Sequence, residues 1–266
     1  MPDHETWFRF IPNYEVLRAA MEGRLGATWI GKQTLDIQHI GGAMLVLAIL
    51  ATLGLMLHRK VADARAAVVP ESRLTVRTFF EVVTEMVLRQ MESLMGPKEA
   101  RAFLPLIGTC AFFILLANSM GMIPGFAPPT ANLNTTLGCA AIVVFTAEVY
   151  GFKRHGLGYL KEFFGGLGPG FFLTPIPYLV FVIEVVSHLA RLLSLSVRLM
   201  GNMYSDHTVV GVFLTLVPFV PVFVPLPVQL LGVLVVVVQT VVFCLLSMVY
   251  IGLAVGGHEE HEDAHA

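Results

Sequence analysis

Charged residues are scarce in this chain: they make up 14% of its 266 residues, against about 25% in an ordinary soluble domain. Hydrophobic residues reach 56%, more than a soluble protein of this size can keep inside. Basic residues show no excess either, because the net charge is −2, and this excludes a nucleic-acid binder. Three cysteines (Cys110, Cys139, Cys244) lie far apart in apolar runs, so neither a disulfide framework nor a metal cluster is expected. The scarcity of charged residues and the high hydrophobic content together indicate an integral membrane protein.

Five apolar runs are long enough to cross a bilayer, which takes about 20 residues in a helix. The runs are Ile40 to Leu57, Phe103 to Gly125, Thr135 to Phe152, a long one beginning near Phe171, and Val228 to Val255. No internal repeat or low-complexity linker separates them. The sequence therefore predicts an all-α polytopic membrane protein with about five membrane helices.

Two segments depart from a plain bundle. Residues 74–95 are amphipathic, with charged side chains spaced four apart on one face, so we expect this helix to lie along the membrane surface. The other segment is the run from Phe171 to Val217. A helix over about 40 of its residues would be about 60 Å long, twice the hydrocarbon thickness. A proline cluster at 218–227 then turns the chain back. Residues 171–256 thus predict a pair of long, strongly tilted helices.

The distribution of Lys and Arg predicts the orientation. Residues 59–101 contain eight, residues 153–161 contain three, and the N-terminal arm contains four. With five spans, the positive-inside rule places the N-terminus outside and the C-terminus in the cytoplasm. We expect an extracytoplasmic arm (residues 1–37), a single helical membrane domain (38–257) and an acidic, His-rich cytoplasmic tail (258–266).

Ionisable residues inside the long helix are the strongest functional signal, because a charge in hydrocarbon costs several kcal/mol. These ionisable residues are Glu184, His188, Arg191, Arg198, Asp206 and His207. Glu184, Arg191 and Arg198 are spaced seven apart and so lie on one face, and Ser187, Ser194, Asn202 and Ser205 continue this polar stripe. Gln239 lies on the returning helix. Arg198 cannot lose its proton, and its nearest carboxylate on the helix, Asp206, is two turns away. We therefore expect Arg198 to meet an anionic group from a partner protein, whereas Arg191 reads equally well as structural or functional.

Three stretches resemble subunit a of F-type ATP synthases. They are Ser194-Leu-Ser-Val-Arg-Leu-Met-Gly-Asn202, Asn118-Ser-Met-Gly-Met-Ile-Pro-Gly125 and Pro128-Pro-Thr-Ala-Asn-Leu-Asn134. Glu184, fourteen residues before the arginine, and Gln239 on the next helix agree with the same family. The resemblance covers the chain from about residue 75 to 256.

The resemblance implies a non-catalytic stator subunit in the bacterial inner membrane, without cofactor or metal. Its expected partners are a ring of c subunits, the peripheral-stalk b subunits, the rest of the synthase and membrane lipid. Arg198 matches the family's arginine, which separates two aqueous half-channels and meets the ring carboxylates. By position, Asn202, Asp206, His207 and Gln239 belong to the outer half-channel, and Glu184, Ser187 and His188 to the inner one.

One position departs from many relatives. Gly232 stands where many bacterial forms have His and mitochondrial forms have Glu, as in chloroplast-type forms. The outer relay is therefore expected to depend on Asp206, His207 and water. Whether protons or sodium ions are carried stays open.

Several alternatives remain at this stage. A secondary ion-coupled transporter would use Arg198 to bind an anionic substrate, but the inverted repeats typical of that class are absent. A haem-binding cytochrome would need histidines on facing spans, and a purely structural subunit is the third alternative. Glu148 reads equally well as part of the inner half-channel or as a helix-end carboxylate near Lys153. The His261-Glu-Asp-Ala-His265 stretch matches a zinc-protease pattern but has no helix around it and no third ligand.

Overall fold

The computed structural model describes residues 37–61, 75–123, 126–156, 176–216 and 225–256. Within these ranges the regular structure is entirely helical. The helices are α1 (Ile37–Val61), α2 (Val76–Met95), α3 (Pro97–Met120), α4 (Leu133–His155), α5 (Ile176–Leu216) and α6 (Pro225–Gly256), with a short 3₁₀ turn at Pro129–Ala131. All of these except α2 and the 3₁₀ turn are long and apolar enough to cross a membrane. The predicted all-α fold with five spans is confirmed, while the N-terminal arm and the acidic tail lie outside the described residues.

The amphipathic helix α2 has a defined start and end. The Thr75 hydroxyl accepts a hydrogen bond from the Thr78 amide at 3.4 Å, which satisfies one of the free amides of the first turn. At the other end Gly96 has φ 84° and ψ 162°, a backbone conformation that is open essentially only to glycine. The chain therefore leaves α2 at Gly96 and starts α3 at once with Pro97, a residue well suited to a first helical position.

The charges of α2 pair along the helix as their spacing predicts. Arg77 Nε donates to Glu81 at 2.6 Å, and Arg89 donates to Glu85 at 2.5 Å. The Arg89 pair is well exposed and contributes little to stability. The helix is not among those apolar enough to span, and its position on the membrane surface stays a prediction.

The two long helices have the expected lengths. Helix α5 runs without a break for 41 residues, which at 1.5 Å per residue is about 60 Å. Helix α6 has 32 residues and begins with Pro225, so the last proline pair starts the helix instead of interrupting it. A rod as long as α5 exceeds the thickness of the hydrocarbon core, and this favours the predicted tilt.

The chain divides into two compact units. The first combines Met1–Ser72, Ala111–Thr136 and Leu199–Thr240. Its core contains a buried hydrogen bond of 2.6 Å from the Thr130 hydroxyl to the Asn118 side-chain oxygen, which joins two of the stretches that carry the family resemblance. Helix α1 comes close to this region, because a Cβ on Gly42 would lie 2.9 Å from Met120 Cε.

The second unit combines Arg73–Cys110, Leu137–Arg198 and Val241–Ala266. Phe103 of α3 and Tyr150 of α4 meet edge to face, with ring centroids 4.8 Å apart. Near them Arg154 Nη1 donates to Glu99 at 2.7 Å. Helix α6 approaches α2 through Gly252, where an added Cβ would lie 3.6 Å from the Leu94 carbonyl oxygen. The single membrane domain expected over residues 38–257 stays a prediction.

Candidate functional site

In the second unit, His188 of α5 lies between two glutamates. Its Nε2 atom is 2.9 Å from Glu148 Oε1 on α4, and its Nδ1 atom is 3.5 Å from Glu184 Oε1 one turn earlier on α5. The imidazole is largely buried, with 19% of its side chain exposed. The structure thus brings together two predicted site residues, Glu184 and His188, and adds Glu148, which the sequence left open.

The hydrogen bonds of His188 define where its protons are. Nδ1 lies 2.9 Å from the main-chain carbonyl oxygen of Glu184. Because a carbonyl oxygen only accepts, Nδ1 carries a hydrogen and donates it. The contact between Nε2 and Glu148 Oε1 then needs one more hydrogen, since two bare lone pairs would repel each other. A direct hydrogen bond between these two atoms therefore requires one proton, carried either by the ring or by the carboxyl group.

Arg191 lies one turn beyond His188 and has an aromatic partner. Its guanidinium carbon is 5.6 Å from the centroid of the Tyr250 ring on α6, within the range of a cation–π contact. Ser187, the other residue assigned to this side, is half-buried on α5. The cation–π contact anchors Arg191 and favours the structural reading of this residue.

Arg198 is exposed, in contrast to the cluster before it. Across the residues that the structure describes, its guanidinium makes no hydrogen bond and no ion pair. Its neighbours Leu193 and Val197 are also exposed, at 51% and 49%. A permanent cation on an apolar surface is expensive in lipid, so this part of α5 suits a partner that supplies the opposite charge.

In the first unit, Asn202 of α5 and Gln239 of α6 form a direct contact. Asn202 Nδ2 donates to Gln239 Oε1 at 2.6 Å. Gln239 is only 2% exposed, and its Nε2 atom has no hydrogen-bond partner among the described residues. Because a buried amide nitrogen normally has a hydrogen-bond partner, the unpartnered Nε2 of Gln239 suits a site that water or another polar group enters.

Asp206 occupies the space that the missing side chain of Gly232 leaves. A Cβ at Gly232 would lie 2.9 Å from Asp206 Oδ2 and 3.3 Å from Oδ1. The carboxylate of α5 therefore sits directly against the backbone of α6. The glycine that departs from many relatives and the aspartate are thus linked, because the aspartate lies in the space that the glycine leaves open. His207 follows on α5, but its side chain lies outside the described part of the structure.

Two surfaces of the long helices are apolar and uncovered. On α5 they include Leu179, Val182, Val186 and Leu189, and on α6 Leu230, Leu234, Val237 and Val241, each more than 40% exposed. Much of this surface would face lipid in a membrane. No group of three or more histidine, cysteine or acidic side chains suitable for a metal occurs among the residues described.

Sequence reasoning found most of these positions but not their pairing. Glu148 carried a signal, a carboxylate within an apolar run, but its partner is forty residues away in the sequence. Tyr250 is one of the few polar residues among the aliphatic residues of α6, but the sequence did not indicate that it meets Arg191. Only the packing of α4 and α6 against α5 assigns these two residues to the polar cluster.

The fold and the charges within its spans define a multi-pass helical membrane protein. Its sequence matches the family model described as ATP synthase A chain over residues 42–252. It is 40% identical over 270 residues to ATP synthase subunit a of Sorangium cellulosum (strain So ce56), covering 98% of this chain and 100% of that protein. It is 42% identical over 217 residues to ATP synthase subunit a of Geobacter sp. (strain M21), covering 82% and 89%.

A third relative, ATP synthase subunit a of Trichlorobacter lovleyi (strain ATCC BAA-1151 / DSM 17278 / SZ), is 48% identical over 176 residues, or 66% of this chain and 72% of that protein. The chain belongs to the ATP synthase A chain family. The family resemblance predicted from the arginine stretch is thereby confirmed.

Proposed function

We propose that this chain is the ion-translocating stator subunit of an F-type ATP synthase, with protons as the ion. Its relatives are named as subunit a of that synthase, and its five apolar helices suit the membrane sector. The chain itself binds no nucleotide and is not an enzyme; it conducts ions. Family membership favours this function over the secondary transporter that the sequence left as the alternative.

The observation that carries the proposal is the isolation of Arg198. Its charge is permanent, it is exposed on an apolar helix, and no acid of the described chain pairs with it. A carboxylate on a moving neighbour would complete this site. Arg198 would hold that carboxylate ionised while it passes, and its charge would oppose protons that cross directly.

The two polar groups on either side of Arg198 in the sequence supply the half-channels. Glu184, Ser187 and His188 line the inner one, with Arg191 beside them. Asn202, Asp206, His207 and Gln239 line the outer one. A potential of 100 mV supplies about 2.3 kcal/mol per charge. The energy of one ion is too small for one ATP synthesis step, so several ions have to pass during the rotation that drives it.

The exposed apolar surfaces of α5 and α6 support a ring of c subunits as the partner. A ring of apolar hairpins covers such surfaces and brings its carboxylates to Arg198. The peripheral-stalk b subunits are the other proposed partners, and the chain lies in the bacterial inner membrane. In this arrangement the N-terminal arm is periplasmic and the acidic tail is cytoplasmic.

The test is Arg198→Ala in the complete synthase. Without the cation, the ionised form of the ring carboxyl group is no longer stabilised, so the group keeps its proton. We expect proton-driven ATP synthesis in energised vesicles to fall by about 100-fold or more. Arg89→Ala is the matched control, because it removes an exposed arginine whose ion pair contributes little. Co-purification of the ring and stalk subunits with each variant reports assembly.

Intact assembly with lost synthesis in Arg198→Ala, and normal synthesis in Arg89→Ala, supports the proposed role. Synthesis near the wild-type rate in assembled Arg198→Ala would contradict it. The same vesicles with and without sodium test the choice of ion.

A further inference from the structure

We infer that Glu148 and His188 together form a site that holds one translocated proton, with Glu148 as the group nearer the aqueous mouth of the inner half-channel. This inference rests on the proposed function and adds Glu148 to it. The site is defined by a contact between two helices, α4 and α5, in the second unit. Glu184 and its main-chain carbonyl complete it.

The first step of the argument is proton accounting. The main-chain carbonyl of Glu184 fixes a hydrogen on Nδ1, at 2.9 Å. Nε2 therefore faces Glu148 Oε1 at 2.9 Å with a single exchangeable proton between them. Loss of that proton leaves a lone pair against a carboxylate oxygen, which is unfavourable. The site consequently alternates between a loaded state with short contacts and an empty state in which water enters or the pair separates.

The second step is position along the helices. Glu148 lies five residues before Lys153, so it is about 7.5 Å along α4 from the basic end of this span. His188 lies ten residues before Arg198, which corresponds to about 15 Å along α5. The pair thus lies between Arg198 and the basic end of α4. A proton that moves from the arginine region to that end of the helix can bind at this pair on the way.

The third step is exposure. The glutamate side chains are 31% and 37% exposed, whereas the imidazole is 19% exposed. The two carboxyl groups are therefore more accessible than the ring between them. The less exposed imidazole of His188 is therefore the inner member of the relay, and the more exposed Glu148 is the outer one.

The transfer itself is simple. A proton released from the ring carboxylate travels through water to the Nε2–Oε1 pair, where an N–H or O–H bond forms. It then leaves Glu148 to water on the side of Lys153 as that bond breaks. No electrons are exchanged, and the reverse sequence serves ATP-driven pumping.

A salt bridge that only ties α4 to α5 is the competing explanation, and Glu148→Gln separates the two. Glutamine keeps the length and a hydrogen bond to Nε2, so a structural tie survives, but it cannot take up and release a proton. We expect passive proton flux through vesicles stripped of the catalytic sector to fall at least about tenfold, since a positioned proton-transfer group contributes 10²–10⁴-fold. Assembly and the ATPase activity of the released catalytic sector stay at wild-type levels.

Three further variants complete the test. Glu85→Gln is the control, because it removes an exposed carboxylate of α2 that is paired with Arg89, and its flux stays normal. His188→Gln should match Glu148→Gln. The double variant should lose no more flux than either single variant, because both residues serve one step.

Flux in Glu148→Gln within twofold of wild type would overturn the inference. Failure of that variant to assemble would overturn it too, since it would make the contact a structural tie. The proposed function is tested separately. It is contradicted if Arg198→Ala still supports proton-driven ATP synthesis, and this result does not depend on the proton flux of Glu148→Gln.

Discussion

At the scale of single residues, position 232 shows how a missing side chain shapes a polar site. Gly232 has no Cβ, and the nearest oxygen of the Asp206 carboxylate lies only 2.9 Å from where that atom would be. A larger residue on α6 would require the aspartate to move. The glycine therefore sets the position of the carboxylate against the backbone of α6 in the first unit.

Gly232→Ala is expected to displace Asp206 and lower proton-driven ATP synthesis. The new Cβ would approach Oδ2 to 2.9 Å, so the carboxylate has to shift, and misplacement by about 1 Å can cost about 100-fold in a transfer step. Alanine favours the helix by about 1 kcal/mol over glycine, so folding does not account for a loss. ATP synthesis in energised vesicles, with the amount of assembled complex, measures the effect.

Gly54→Ala is the control for this variant. An added Cβ at Gly54 would meet nothing within 4 Å, so synthesis in that variant stays at the wild-type level. Equal rates in Gly232→Ala and Gly54→Ala would show that the outer site tolerates a displaced carboxylate.

At the scale of elements, the junction between α2 and α3 depends on one backbone conformation. Gly96 has φ 84° and ψ 162°, and its amide donates to the Glu92 carbonyl at 3.2 Å. The next residue, Pro97, already belongs to α3. The glycine thus separates an amphipathic helix from an apolar one within a single residue.

Gly96→Ala should destabilise the second unit by about 1–3 kcal/mol, the usual cost of a side chain in a glycine-only region. Thermal unfolding of the purified complex, followed through the release of this subunit, gives the measurement. Gly108→Ala serves for comparison: it lies inside α3, and an added Cβ would meet nothing within 4 Å, so its stability equals or exceeds that of wild type. A Gly96→Ala complex as stable as Gly108→Ala would show that the junction adopts another path without cost.

At the scale of the whole molecule, the basic residues predict how the chain crosses the membrane. Residues 59–101 and 153–161 contain eleven of the seventeen Lys and Arg residues. Among the described residues, five helices are long and apolar enough to cross, and five crossings would put the two termini on opposite sides. The positive-inside rule then selects a periplasmic N-terminus.

Cysteine labelling tests this topology in the assembled synthase. With Asp263→Cys, a membrane-impermeant maleimide should label inverted vesicles but not intact spheroplasts, since the proposed topology puts the tail in the cytoplasm. Asp3→Cys should give the opposite pattern. The native cysteines (Cys110, Cys139, Cys244) are buried or half-buried, and the unmodified chain measures their background. Labelling of both positions from the same side would rule out five crossings.

Much of the fold follows from local features of the sequence. The apolar runs predict α1 and α3 to α6 to within a few residues, because each helix satisfies its own backbone hydrogen bonds and needs no distant partner to do so. The turn at Gly96 and the start of α6 at Pro225 follow from the backbone limits of glycine and proline. The arginine stretch identifies the family for a similar reason, since its residues are adjacent in the chain.

The pairings within the polar sites were decided only by tertiary structure. Glu148 meets His188, and Asp206 fills the space beside Gly232, because particular faces of neighbouring helices pack together. An apolar helix presents similar residues all around, so its sequence does not specify which face meets which neighbour. The amino-acid sequence therefore determined the helices, their approximate ends and the family, while the packing of those helices determined which polar groups lie in contact.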